Sequence, residues 1–147
     1  MKSFIPKDFQ IPQGFTTDKF KLRMLTTDDL EKDFDAVSSS IDRLKGFFGV
    51  NSKWPVGITL EENLKDLDWH QKEFQERKSF AYTVMSPDEK VCLGCVYVFQ
   101  SRNKNYEADV LMWVRESRKD LDHTLEQTVR KWIAKEWPFK SVAYPRR

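Results

Sequence analysis

Cysteine and histidine are scarce, with two of each in 147 residues. Cys92 and Cys95 form a C-x-x-C, but a zinc centre needs a second ligand pair and a thioredoxin-like motif needs a helix N-terminus after a strand. Neither accompanies them. They lie in the apolar run Val91 to Phe99, where extended backbone turns residues three apart to opposite faces. They read as two buried small apolar residues, and no metal site is expected. No apolar stretch approaches the length of a membrane span, and Lys2, Pro6, Lys7, Asp8 and Pro12 interrupt what would have to be a signal sequence. The reading is a cytoplasmic protein with no membrane partner. An excess of one charge is missing too. The 25 basic and 23 acidic side chains are interspersed and net +2, so no long-range field for nucleic acid exists and any anion site must be local.

What is present is globular: 39% hydrophobic, 14% aromatic and 33% charged residues, in a length that suits one domain, residues 1–147, able to bury a core without cross-links. Residues 1–18, with Phe4, Phe9 and Phe15 and two prolines, lack a clear period and read as an arm packed on that domain. Lys19 to Leu25 reads as a strand. Thr26-Thr27-Asp28-Asp29 then starts a helix by offering side-chain oxygens to its free amides, and Leu30, Phe34 and Val37 supply its apolar stripe. A short helical piece is expected over Ser40 to Phe48. Thr59 and Glu62 form a capping-box pair for a helix running to about Lys78, with Leu60, Leu64, Leu67 and Phe74 on one face.

The period then changes to two. Ser79 to Met85, Val91 to Gln100 and Tyr106 to Val114 read as a three-stranded antiparallel meander joined by short polar turns. A last helix spans about Asp120 to Glu136, presents Leu121, Leu125, Val129, Trp132 and Ile133, and stops before Pro138. Ser141 to Tyr144 reads as a final short strand. The order is β, α, α, α, β, β, β, α, β.

This order, with the run Phe20-Lys21-Leu22-Arg23-Met24-Leu25-Thr26-Thr27-Asp28-Asp29 and the Cys92-Leu93-Gly94-Cys95-Val96-Tyr97 strand, resembles the GCN5-related N-acetyltransferase superfamily from about Lys19 to Tyr144. The resemblance implies an α/β (α+β) fold, a central, mostly antiparallel mixed sheet flanked by helices. It implies an acetyl-CoA-dependent transfer of an acyl group to an amine of a small molecule or peptide. By the same resemblance the strand ending in Leu111, Met112, Trp113 and Val114 holds the coenzyme arm, and the following helix N-terminus faces its diphosphate. The family's Arg/Gln-x-x-Gly-x-Gly/Ala signature is replaced here by Arg115-Glu116-Ser117-Arg118-Lys119-Asp120-Leu121-Asp122, without glycine. Arg118 stands where the family's arginine would be, and Arg118 with Lys119 are the candidate phosphate ligands; a solvated loop is the competing reading. The few residues after the last strand do not supply the family's further helix and two strands, so the arm or a second subunit in a homodimer is expected to cover the sheet edge.

Acyl transfer needs a group to take the amine's proton. Glu107 and Asp109, two apart on one strand face, are the candidate bases, against the alternative of an exposed face paired with lysines. His70 and His123 are either bases or packing and surface residues. Trp132 and Trp113 fit core positions, whereas Trp54, in a loop beside Pro55, and His70 are the candidates for the substrate mouth. A non-catalytic module using the same cleft for another ligand or a partner is the alternative function.

Overall fold

A computed structural model describes residues 4–147; the first three residues of the expected arm lie outside the described residues. The strands are β1 (Gly14–Thr16), β2 (Lys21–Met24), β3 (Phe80–Met85), β4 (Cys92–Gln100), β5 (Ala108–Val114) and β6 (Val142–Ala143), and they form one sheet in that order. All neighbours are antiparallel except β5 and β6, which run parallel. The helices are α1 (Leu30–Ser38), α2 (Ile41–Leu44), α3 (Leu60–Gln75) and α4 (Asp122–Glu136). The mixed, mostly antiparallel sheet flanked by helices is the architecture expected from the sequence.

Alternation along the strands divides the core in two. Leu22, Tyr82, Val84, Val96, Val98, Val110 and Val114 face α4, which answers with Leu125, Val129, Trp132 and Ile133. Phe4, Ile5, Phe9 and Ile11 of the arm join this layer, and Tyr82 donates its hydroxyl to the Pro12 carbonyl at 2.6 Å. The arm also supplies β1, which pairs with β2. On the opposite face Ala81, Met85, Cys95, Tyr97 and Trp113 meet Ala36 and Val37 of α1 and Leu67 of α3.

The local signals place these elements. Thr26 accepts from the Asp28 amide and Asp29 returns to the Thr26 amide, closing a capping box on a single 3-10 turn (Thr27–Asp29) before α1. Arg23 grips Asp29 with two nitrogens, at 2.8 and 3.1 Å, and Glu89 with a third at 2.8 Å, tying β2 to the β3–β4 turn. Thr59 and Glu62 cap α3 reciprocally as expected. The last helix starts later than expected, at Asp122, because Glu116–Leu121 winds as 3-10 helix broken at Arg118 (φ −129°, ψ 36°).

Two sequence expectations are corrected. α3 is rotated about its axis: Leu60 and Leu64 are 47% and 40% exposed, while Asn63 and Leu67 are buried. Cys92 and Cys95 are both free and buried, but they do not face opposite ways. Val84 pairs with Gly94 and Met85 with Cys92, so β4 carries one extra residue, and this bulge brings both thiols to the α1–α3 side while Leu93 faces α4.

Candidate active site

Between α1, α3 and the sheet lies a cavity of about 300 Å³. Its walls are aromatic. Trp54, from the loop before α3, packs 4.9 Å from Phe48 and 6.3 Å from Trp113, centroid to centroid, and Phe48 lies 5.4 Å from Tyr97. The Trp113 indole donates to the Tyr97 hydroxyl at 2.9 Å, locking the two rings across β4 and β5. Large aromatic surfaces with their polar atoms satisfied make a rigid, apolar lining.

Three ionisable groups break that lining: Asp33 of α1, and Asp66 and His70 of α3. Asp33 is 3% exposed. It accepts from Asn63 Nδ2 at 2.9 Å and from the Cys95 thiol at 3.7 Å. Burial pushes its carboxyl up to about 6, although the two hydrogen bonds work the other way. Burial, then the nearby Glu62 charge, also raises Asp66. Burial depresses His70 to about 4, so its imidazole is neutral near pH 7, and its Nδ1 is buried without a hydrogen-bond partner.

A wider groove of about 590 Å³ shares Phe48, Trp69 and Phe99 with the cavity and is bordered by Asp109 and Leu111. Around the far side of Trp113, a third pocket of about 280 Å³ gathers Arg43, Lys45, Arg146 and Arg147 with Asp122, and Glu116 and Glu126 also pair with Arg43 and Arg147. It adjoins a free strand edge. β6 pairs with β5 at Ala108 and Asp109, and among the described residues the rest of that edge, through Val114, has no neighbouring strand. The outward carbonyls there accept from guanidinium groups: Met112 from Arg147 at 3.1 Å and Val114 from Arg43 at 2.9 Å.

The residues expected from the sequence fall into separate groups. Trp54 and His70 both line the cavity, together with Trp113. Leu111 borders the groove, Met112 and Trp113 border the basic pocket, and Val114 lies at the Arg43 contact. Asp109 borders the groove, but Glu107 does not join it: its carboxylate accepts from the Lys140 amide at 2.7 Å and helps fix the β5–β6 junction. Arg118 pairs with Asp120 and Lys119 with Glu116 on the exposed 3-10 segment. Arg115 turns inward to the Cys92 carbonyl, Asp35 and Ser39, bridging α1 and β4. His123 is exposed.

Sequence reasoning did not single out Asp33, Asp66, Arg43, Lys45, Arg146 or Arg147. Asp33 had a signal, because it falls three residues after Leu30 and four before Val37, on the stripe that a helix buries. The four basic residues had none, since α2 and the C-terminal segment meet only in space. Among the described residues no group of three or more His, Cys, Asp and Glu side chains is placed to hold a metal ion, and no helix is long and apolar enough to cross a membrane. The basic set beside an open strand edge fits an extended ligand with phosphate groups.

No family model and no curated protein matches the chain by sequence. Solved structures do match, and they show its fold, that of the GCN5-related N-acetyltransferases. It resembles the ribosomal-protein-S5-alanine acetyltransferase of Vibrio fischeri with a TM-score of 0.64 at 13% identity, over 83% of this chain and 67% of that one. The microcin C7 self-immunity acetyltransferase MccE, solved with acetyl-CoA and AMP, gives 0.61 at 14% identity over 84% and 66%. RimL, a ribosomal alpha-N-protein acetyltransferase solved with coenzyme A, gives 0.62 at 17% identity over 83% and 66%. The chain thus spans about two thirds of the length of these structures.

Proposed function

We propose that the chain is an acyl-CoA-dependent N-acyltransferase acting on an amine of a small molecule or peptide. The observation that carries this reading is the edge of β5 left open beyond Asp109 beside a pocket of four basic residues. Acetyl-CoA would supply an activated thioester carbonyl. The open edge at Leu111 to Val114 would hold its arm, with Arg43, Lys45 and Arg146 around the phosphates and Arg118 and Lys119 at the outer rim. Arg43, now on the Val114 carbonyl, and Arg147, now on Met112 and Asp122, would turn from that edge to the same anion. The acceptor amine would enter through the groove. Asp109 would take the proton that the nitrogen loses as its bond to the acyl carbon forms; the sulfur leaves as that carbon–sulfur bond breaks and takes a proton from solvent. Glu107, engaged at the β5–β6 junction, is the weaker candidate for that proton. The neighbours solved with acetyl-CoA or coenzyme A support the coenzyme, and those named for ribosomal proteins support a peptide amine as one acceptor class.

Calorimetric titration with acetyl-CoA tests the reading. Binding that weakens in Lys45→Ala, Arg146→Ala, Arg118→Ala and Lys119→Ala supports it; no heat up to millimolar coenzyme, with the protein folded, removes it. A non-catalytic module with this fold is the second reading. The glycine-free segment 115–122, whose Arg118 and Lys119 already pair with Asp120 and Glu116, favours it.

A further inference from the structure

We propose that the aromatic cavity is a selective site for a compact organic cation, an ammonium group held by Asp33 and Asp66 with its apolar body against Trp54, Tyr97 and Trp113. That this cation is the acyl acceptor, reaching Asp109 in the groove as the free amine after its ammonium gives one proton to solvent, rests on the acyltransferase reading; the binding itself does not.

Two independent features point to a cation. The first is unbalanced charge. Other buried or half-buried acids at the polar contacts of the fold have a basic partner, Asp29 and Glu89 in Arg23 and Asp122 in Arg147. Among the described residues neither Asp33 nor Asp66 forms an ion pair with a lysine or arginine. Asp33 is nearly fully buried and leans on one neutral amide and one thiol. A carboxylate so placed carries a desolvation cost that an entering cation would offset. The second feature is the wall. Indole and phenol faces attract cations through the ring quadrupole, most strongly where water is excluded. The Trp54, Trp113 and Tyr97 rings stand on the same cavity as the two acids.

The same features set the class of ligand. A neutral molecule of the same shape gains the apolar walls but leaves both carboxylates without a partner. A zwitterion or anion brings negative charge towards Asp33 and Asp66 and is rejected. A volume of about 300 Å³ takes a small aryl or branched alkyl body. The neutral His70 imidazole adds no competing positive charge, and its buried Nδ1 has no protein partner to give up.

The test uses the full chain without coenzyme and follows tryptophan fluorescence, with phenethylamine and its neutral counterpart phenethyl alcohol as probes. Phenethylamine is expected to bind at least about tenfold tighter than the alcohol, a difference of one decade in affinity. Asp66→Asn, which alters a half-exposed side chain and leaves the fold intact, is expected to erase most of that preference while leaving alcohol binding unchanged, and Asp33→Asn to erase it further. Equal affinity for the two probes, no binding of either at ten-millimolar order (~10 mM), or a preference that survives both variants overturns the proposal. Acetyl-CoA titration is run separately. Loss of coenzyme binding with cation binding retained removes the acyltransferase reading alone, and the reverse result removes the cation site alone.

Discussion

Asn63 Nδ2 donates to Asp33 Oδ2 at 2.9 Å, joining two buried polar side chains across the contact of α1 with α3. The bond orients the carboxylate but supplies no countercharge. Ionised Asp33 therefore costs stability: its shift from 3.8 to about 6 corresponds to about 3 kcal/mol. Asp33→Asn keeps the shape and removes the charge. It is expected to melt at or above the wild-type temperature at pH 8 and to match it near pH 4, measured by calorimetry. Marked destabilisation at pH 8 would show that the carboxylate is paired in the native protein. A site that costs stability when empty is a common mark of function.

The pH dependence of stability carries opposed contributions. Asp33, raised by burial, stabilises the fold fully only below about 3.8 and loses that contribution as pH rises through about 6. His70, lowered by burial, contributes above 6.5 and loses that contribution as pH falls through about 4. Glu89, held down to about 2 by hydrogen bonds from Lys21 and Arg23, contributes above about 4.5 and loses it in stronger acid. Denaturant titrations of His70→Gln against wild type are expected to converge above pH 7 and to diverge below pH 6, the variant becoming relatively more stable by up to about 3 kcal/mol.

Cation binding should move Asp33 itself. The groups that set its environment are Asp29 beyond its own helix turn, Asn63, Asp66 and His70 of α3 and Cys95 of β4. None of these is positive near neutral pH. An ammonium group beside Asp33 favours its ionised form, so its pKa is expected to fall below 5 with saturating phenethylamine, by carboxyl-carbon NMR titration. An unchanged midpoint would place the amine elsewhere.

Gly94 of β4 lies against the backbone of β5 at Trp113. A Cβ there would sit 2.0 Å from the Trp113 carbonyl oxygen, a backbone atom that cannot swing aside. Gly94→Ala is expected to cost about 3 kcal/mol in urea denaturation and to loosen the Trp113 to Tyr97 hydrogen bond, with a red shift in tryptophan emission. A loss under about 0.5 kcal/mol would mean that the strands part without cost.

Arg115 binds the Cys92 carbonyl, Asp35 and Ser39 from a buried position. Arg115→Leu leaves that carbonyl without its donor, and a destabilisation of about 2 kcal/mol is expected in the same assay. Coenzyme affinity, measured on the folded variant, should change little, because Arg115 faces α1 and not the basic pocket.

Much of the fold was legible because its signals are local. The change of hydrophobic period at Ser79, the helix-starting cluster at Thr26 to Asp29, the capping box at Thr59 and the polar turns after Met85 and Gln100 each act within a few residues. Legibility failed where two segments decide together. Leu60 and Leu64 have the spacing of a buried face, yet Asn63 wins the interior because Asp33 of α1 waits there for a donor. The β4 bulge depends on how Met85 meets Cys92, which no pattern within Val91 to Phe99 encodes. In the site, Trp54 and His70 were readable as the odd residues in a loop and on a charged helix, and both line the cavity. Arg43, Lys45 and Arg146 come from distant parts of the chain and mean nothing until folding assembles them.

The bulge that turns both thiols inward also gives the protein a built-in clock. Cys92 and Cys95 are at most 1% exposed, and burial pushes the Cys92 thiol up to about 12. Neither sulfur can meet an alkylating reagent from the closed state. The rate of labelling therefore counts openings of the layer between β4 and α1, which borders the cavity through Asp33, Val37 and Tyr97, and any ligand that holds those residues in place will slow the count in proportion to its occupancy.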